Sequence, residues 1–303
     1  NPDIPSPQIA VDKLGEAARI ARNHRYSLSR GLPKLREAVA ALYERKWGVV
    51  LDPELEITNT IGSKEGFSHL MWVLLDRGDA AIVPSPSYPI HIYGPLFAGA
   101  DLRQVPMKFL ADPDQREHFA DDFMDSLQTA WDVGWPKPRV LVISFPHNPT
   151  GATVDLAFMQ RVVDFCREHE MIVVHDFAYA DVGFDGHQPP SILQAEGAKE
   201  CAVELYSMTK SFSMAGWRSA FLLGNAEVVQ ALVKLKSYLD YGMFQPVQIA
   251  ATVTINEAAD YPNEIRAIYE SRCDTLIDGL GRIGWDIPKP GGSMFVWAPI
   301  PEP

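Results

Sequence analysis

From Tyr206 to Arg218 the chain reads Tyr-Ser-Met-Thr-Lys-Ser-Phe-Ser-Met-Ala-Gly-Trp-Arg, and it follows the apolar residues Ala202, Val203 and Leu205. Lys210 thus falls just past a strand end, with hydroxyl residues on both sides and Arg218 eight positions on. A free lysine amine is nearly all protonated at neutral pH, with a reference pKa of about 10.4. Condensed with an aldehyde as a Schiff base, the same nitrogen becomes an electrophilic anchor. A lone lysine is more often a solvated surface charge, so the chemical reading depends on what the other loops bring to it.

Similar polar turns recur after short apolar runs. Residues 55–61 lead into Gly62-Ser63-Lys64-Glu65-Gly66, and residues 80–83 into Pro84-Ser85-Pro86-Ser87-Tyr88-Pro89. Residues 140–145 lead into Pro146-His147-Asn148-Pro149-Thr150-Gly151, and residues 171–174 into His175-Asp176-Phe177-Ala178-Tyr179. In an open parallel sheet, ligands bind beyond the carboxyl ends of the strands. Gly62, Ser63, Lys64, Tyr88, Asn148, Asp176, Tyr179, Ser207 and Lys210 are therefore expected to face one crevice.

Each has a chemical use there and a plainer alternative. Gly62 and Ser63 precede a helix, so their amides can hold a phosphate, with Ser207 and the planar fork of Arg218 on the same group; a simple helix cap and a surface salt bridge are the alternatives. Asp176, placed directly after a strand buried on both faces, needs a cationic or hydrogen-bonding partner. A protonated pyridine nitrogen is one such partner, and a cap or turn the alternative. Asn148 and Tyr179 can donate to a phenolate oxygen, although Asn148 also suits a turn. Tyr88, restrained by prolines, can stack on a flat ring or fill the core.

The elements that must position these residues follow from pattern and composition. A length of 303 residues suggests about two domains, and 47% hydrophobic with 22% charged residues is ordinary globular composition. The net charge of −12 argues against a nucleic-acid or anionic-membrane surface. No apolar stretch is long enough to span a bilayer. Three scattered cysteines and eight histidines without ligand spacing fit a reducing cytoplasm and no metal site. Residues 1–12 read as an extended, proline-broken stretch and residues 13–23 as a helix. An amphipathic helix then starts at Pro33, with Leu35, Val39, Leu42 and Tyr43 on one face. From residue 55 strands alternate with helices, which predicts an α/β fold with a mostly parallel sheet covered on both faces. Long helical patterns follow from Val228 and over residues 263–283, and residues 292–297 read as a strand of a second, smaller unit.

Taken in order, Ser29-Arg30-Gly31-Leu32-Pro33-Lys34-Leu35-Arg36, the Gly62–Gly66 turn, Pro86-Ser87-Tyr88-Pro89, His147-Asn148-Pro149-Thr150-Gly151, Asp176-Phe177-Ala178-Tyr179 and Ser207-Met208-Thr209-Lys210 through Arg218 resemble the class I aminotransferases, pyridoxal-phosphate enzymes of fold type I. The resemblance covers essentially the whole chain. Tyr88-Pro89-Ile90-His91-Ile92-Tyr93-Gly94, Val174-His175-Asp176 and Lys236-Ser237-Tyr238-Leu239-Asp240-Tyr241-Gly242 look like the bacterial alanine-forming glutamate–pyruvate enzymes.

The resemblance implies a three-layer α/β/α large domain over residues 13–260. It also implies a smaller α/β domain beginning at residues 261–303, against which residues 1–12 pack. It implies pyridoxal 5′-phosphate as cofactor, Lys210 as the Schiff-base lysine, Asp176 as partner of the ring nitrogen, and Asn148 with Tyr179 at the ring hydroxyl. Tyr88 would stack on the ring, and Gly62, Ser63, Lys64, Ser207 and Arg218 would hold the phosphate. It further implies a homodimer with shared active sites, in which Tyr26 reaches the phosphate of the neighbouring subunit. Substrates would be an L-amino acid and a 2-oxo acid, exchanged by ping-pong transamination. The family's arginine for the substrate α-carboxylate lies beyond Pro303, so a longer molecule is expected.

Three rivals remain open at this point. Another fold type I reaction, a β-lyase or a diaminopimelate, aromatic or aspartate aminotransferase, would use the same cofactor residues. A ligand-sensing module of a regulator is a second. The third is serine acyl transfer, since Ser207-x-x-Lys210 matches a penicillin-binding-protein motif; no Lys-Thr-Gly follows it.

Overall fold

A computed structural model describes residues 2–107 and 113–300, the last of these ranges by backbone alone as far as residue 117. Seven strands, β1 (Ile57–Ile61), β2 (Ala80–Ser85), β3 (Asp101–Pro106), β4 (Val140–Ile143), β5 (Ile172–Phe177), β6 (Ala202–Ser207) and β7 (Ser219–Gly224), form one sheet in the order β1-β7-β6-β5-β4-β2-β3. Neighbours from β6 to β3 run parallel, whereas β7 lies antiparallel to both β6 and β1. The helices are α1 (Gln8–Ala18), α2 (Pro33–Trp47), α3 (Ser63–Leu74), α4 (Pro89–Ala98), α5 (Pro113–Asp132), α6 (Leu156–Glu168), α7 (Ala198–Cys201), α8 (Met208–Ser211), α9 (Ala226–Leu239), α10 (Gln245–Glu257) and α11 (Tyr261–Gly281).

Strand periodicity sorts the core into two layers, because successive side chains of a strand point to opposite faces. In β4, Val140 and Val142 join Phe67, Leu70, Met71, Val229 and Leu232 of α3 and α9. Leu141 and Ile143 join Leu35, Val39, Phe123, Phe158 and Val162 of α2, α5 and α6 on the other side. Burial on both faces explains why β4 and residues 80–83 of β2 read as unbroken apolar runs. The three-layer α/β/α arrangement is therefore present as expected, and α2 buries all four residues assigned to its inner face. No described helix is long and apolar enough to cross a membrane. Cys166, Cys201 and Cys273 are free and buried.

Several elements differ from the sequence reading. The first helix starts at Gln8, directly after Pro7, and ends at Ala18; residues 21–24 form a separate 3-10 turn. Proline tolerates the position just outside a helix, so the proline-broken stretch ends earlier than its composition implied. Strand β5 runs on through Phe177, which places His175 and Asp176 in the strand and not in the loop after it. Residues 292–297 form no strand: Gly292 makes a single bridge to Gly183, and the Ser293 N–H donates to the Val182 carbonyl at 2.8 Å. The polar edge strand β3 was not foreseen, since only Leu102 and Val105 stand out along it.

Two polar arrangements fix the frame around β5 and β6. His175 lies next to Asp176 in β5, and its Nδ1 meets Glu204 Oε2 of β6 at 2.8 Å. Glu204 Oε1 accepts from the Tyr43 hydroxyl at 2.7 Å and from Ser191 Oγ at 2.8 Å, all of them buried. A buried carboxylate tolerates such a place only when fully hydrogen-bonded. The N-terminal stretch in turn ties α11 to the segment after Lys210. Asp3 takes a two-pronged ion pair from Arg272 at 2.7 and 3.0 Å, Pro5 O accepts from the Tyr261 hydroxyl at 2.5 Å, and Ser6 Oγ donates to Ser213 O at 2.9 Å.

Candidate active site

The carboxyl ends of β1, β2, β4, β5 and β6 open onto one cavity of about 380 Å³. Its walls include Ser63, Lys64, Tyr88, Asn148, Asp176, Tyr179, Ser207, Lys210 and Arg218. That volume is within the usual range for a small-molecule site. Gly62 completes the set from behind: its φ of +82° is open to glycine, and a β-carbon there would overlap the Arg218 guanidinium. Tyr26 is the one expected residue the chain does not bring here. It is 85% exposed and its ring lies 4.9 Å from that of Tyr241, on an outer surface.

Lys210 sits on the single turn α8 between β6 and β7, and Ser207 caps that turn by accepting from the Thr209 N–H at 3.1 Å. The Lys210 ammonium stands 5.8 Å from the centroid of the Tyr179 ring. Burial lowers its pKa from the ordinary lysine value. The sign follows from desolvation, which disfavours the charged form and so brings out the neutral amine at lower pH. In competitive acetylation of cofactor-free protein, Lys210 should therefore half-deprotonate below the reference of about 10.4. A midpoint at or above that reference would contradict a buried amine.

Asp176 faces the same space from β5. Its Oδ2 meets His91 Nε2 at 2.9 Å, while Oδ1 is buried and has no hydrogen-bond partner among the described residues. A carboxylate oxygen can only accept, so His91 Nε2 is the donor of that pair, and His91 Nδ1 lies 3.0 Å from Ser87 Oγ. A buried carboxylate oxygen without a donor is costly, and because Asp176 lines the cavity a donor on a ligand there is the natural partner. His91 was given no role in the sequence reading. Its signal was available, because the expectation that Asp176 needs a partner could have been met by a histidine one turn after Tyr88.

The remaining groups divide the cavity by charge. Arg218, in a left-handed conformation rare for a residue with a side chain (φ 56°), donates through one nitrogen to Ala215 O at 3.0 Å. Ser63 Oγ is buried and has no hydrogen-bond partner among the described residues. Arg218, Lys64 and the first turn of α3 make that end positive, suited to a phosphate. Lys64 also lies 5.4 Å from the centroid of the Tyr88 ring. Burial and then the Asp176 charge push the Tyr179 hydroxyl well above its ordinary pKa, with the Asn148 side chain hydrogen-bonded to it acting the other way. Tyr179 thus stays a proton donor. His147, next to Asn148, is held neutral, its pKa lowered to about 3 first by burial and then by His91.

An anion at one end, a hydrogen-bond donor facing Asp176 at the other and a group able to condense with the Lys210 amine describe the ligand this cavity would take. The chemistry agrees with the relatives. The profile of aminotransferase class I and II matches residues 2–303. The chain is 44% identical over 303 residues to glutamate-pyruvate aminotransferase AlaC of Escherichia coli K12, covering all of itself and 71% of that protein. It is 39% identical over 302 residues to an LL-diaminopimelate aminotransferase of Dehalococcoides mccartyi, of which it covers 75%. Among solved structures, substrate-bound BacF from Bacillus subtilis matches with a TM-score of 0.92 at 37% identity, over 99% of this chain and 74% of that one. The chain belongs to the class I and II aminotransferases.

Proposed function

We propose that this aminotransferase exchanges an amino group between alanine or glutamate and pyruvate or 2-oxoglutarate by a ping-pong route, using pyridoxal 5′-phosphate held in the cavity described above. The observation that carries this reading is that one cavity is lined both by the Lys210 amine and by Asp176, whose Oδ1 has no partner among the described residues. When bound, the cofactor supplies an aldehyde and a protonated ring that draws electrons from the substrate carbon. Asp176 Oδ1 would accept the ring N–H, and His91 would keep its carboxylate aligned. Asn148 and Tyr179 would donate to the ring hydroxyl oxygen, and Tyr88 would cover the ring face. Arg218, Ser63, Lys64, Ser207 and the amides after Gly62 would hold the phosphate. Lys210 Nζ would take the proton from the Cα of the amino donor and, in the second half-reaction, deliver one to the Cα of the acceptor.

The preference for alanine and glutamate is supported by the likeness to AlaC. The likeness to LL-diaminopimelate enzymes favours a second reading with a larger donor. A panel of amino donors with pyruvate and 2-oxoglutarate as acceptors, run on full-length protein, separates the two. Alanine and glutamate should give the highest kcat/KM; a preference for diaminopimelate, or release of ammonia without an acceptor, would refute the proposal.

Tyr26, Tyr238, Tyr241 and Phe244 are exposed aromatic residues, with Tyr26 against Tyr241 and Phe244 against His24. They support a homodimer in which Tyr26 reaches the partner's phosphate. The large domain is assigned to residues 13–260, with residues 261–303 starting a smaller one and residues 1–12 packing with it. The buried free thiols accord with a cytoplasmic setting.

A further inference from the structure

Behind the phosphate end lies a charge cluster that the proposed reaction does not use. Lys236 of α9 is wholly buried, and its Nζ contacts Glu65 Oε1 at 2.8 Å and Asp240 Oδ2 at 2.9 Å. Glu65 is the third residue of α3. Its other oxygen accepts from the Ile61 N–H at 2.7 Å, and His69 Nδ1 meets Oε1 at 2.6 Å. Asp240 is anchored in turn by the Gly242 N–H at 2.8 Å. Glu65, His69 and Asp240 bring their ligating atoms within 4.8 Å of one another, and the cation held by the two carboxylates is the Lys236 ammonium.

The position of Glu65 makes this arrangement consequential. A carboxylate in the first turn of a helix is drawn to the positive end and to the amides that no helical carbonyl can reach. In α3 those amides belong to Ser63, Lys64 and Glu65, the same turn assigned to the phosphate. An uncompensated Glu65 would compete with a phosphate dianion for those donors and repel it. The observed contacts turn the carboxylate back onto Ile61 and Lys236 instead.

We propose that Lys236 is a positioning residue of the phosphate seat: it neutralises Glu65 and holds that carboxylate off the first turn of α3, leaving the turn positive for a phosphate monoester. This rests on the reading of the cavity as a pyridoxal-phosphate site. The test measures, by absorbance titration of cofactor-free full-length protein, the affinities for pyridoxal phosphate and for pyridoxal, which lacks the phosphate.

Wild-type protein prefers the phosphorylated form. Lys236→Met should reduce that preference about tenfold while leaving pyridoxal affinity nearly unchanged, and adding Glu65→Gln should restore it. Should Lys236→Met fail to fold, Glu65→Gln alone should raise the preference, because the competing charge is gone. Equal losses for both ligands, an unmoved ratio, or a lower preference in Glu65→Gln each overturn the role of Lys236. A wild-type protein that binds both forms equally, or neither, overturns the site reading and this proposal together.

Discussion

Lys210→Ala is expected to lower turnover by about 10⁴-fold or more, because one residue combines covalent anchoring with proton transfer at the substrate carbon. Cofactor should still bind, since Arg218, Ser63, Asn148, Tyr179 and Asp176 all face the cavity independently of Lys210. Lys210 is half-buried on a single turn whose cap is Ser207, so its truncation should leave β6 and β7 intact. Borohydride treatment of loaded wild-type enzyme should fix the cofactor on the peptide that contains Lys210, and the variant should show no such adduct. Turnover within tenfold of wild type, or an adduct on the same peptide of the variant, would remove Lys210 from the chemistry.

Asp176→Asn should cost on the order of a thousandfold in kcat with a small effect on folding. The amide keeps the shape, and its oxygen can still accept from His91 Nε2. What it loses is the negative charge that holds a proton on a ring nitrogen. A cofactor analogue carrying a fixed positive charge at that nitrogen should therefore recover part of the rate in the variant and none in wild type. A kcat close to wild type would show that Asp176 is merely a satisfied buried carboxylate.

The sheet and its covering helices were legible because burial on both faces leaves continuous apolar runs, as in residues 80–83 and 140–143. The cavity was legible because its residues follow those runs, and the ligand rule for parallel sheets does not require knowing the strand order. Two kinds of information were out of reach. One is partnership between distant residues: His91 with Asp176 and Lys236 with Glu65 join segments 85 and 171 positions apart. No local pattern encodes such pairs. The other is the exact end of an element, as with Asp176, whose polarity suggested a loop although it continues β5. The reversed direction of β7 also escaped notice, since an antiparallel strand buried on both faces looks the same as a parallel one. Tyr26 was named by resemblance alone, and nothing within one chain draws it to the cavity.

The place of β7 has a consequence for the order of events during biosynthesis. It inserts between β1 and β6, and its first residue, Ser219, sits opposite Ile61, the last of β1. Gly62 and Arg218 meet only through that pairing, although 155 residues separate them. A nascent chain halted before residue 219 would already contain the lysine, the carboxylate and the aromatic cover, yet it would lack a closed grip on a phosphate. Vitamin capture would thus report that the sheet's last strand has slotted home, and ribosome-stalled fragments ending on either side of β7 should differ in it as sharply as a latch open and shut.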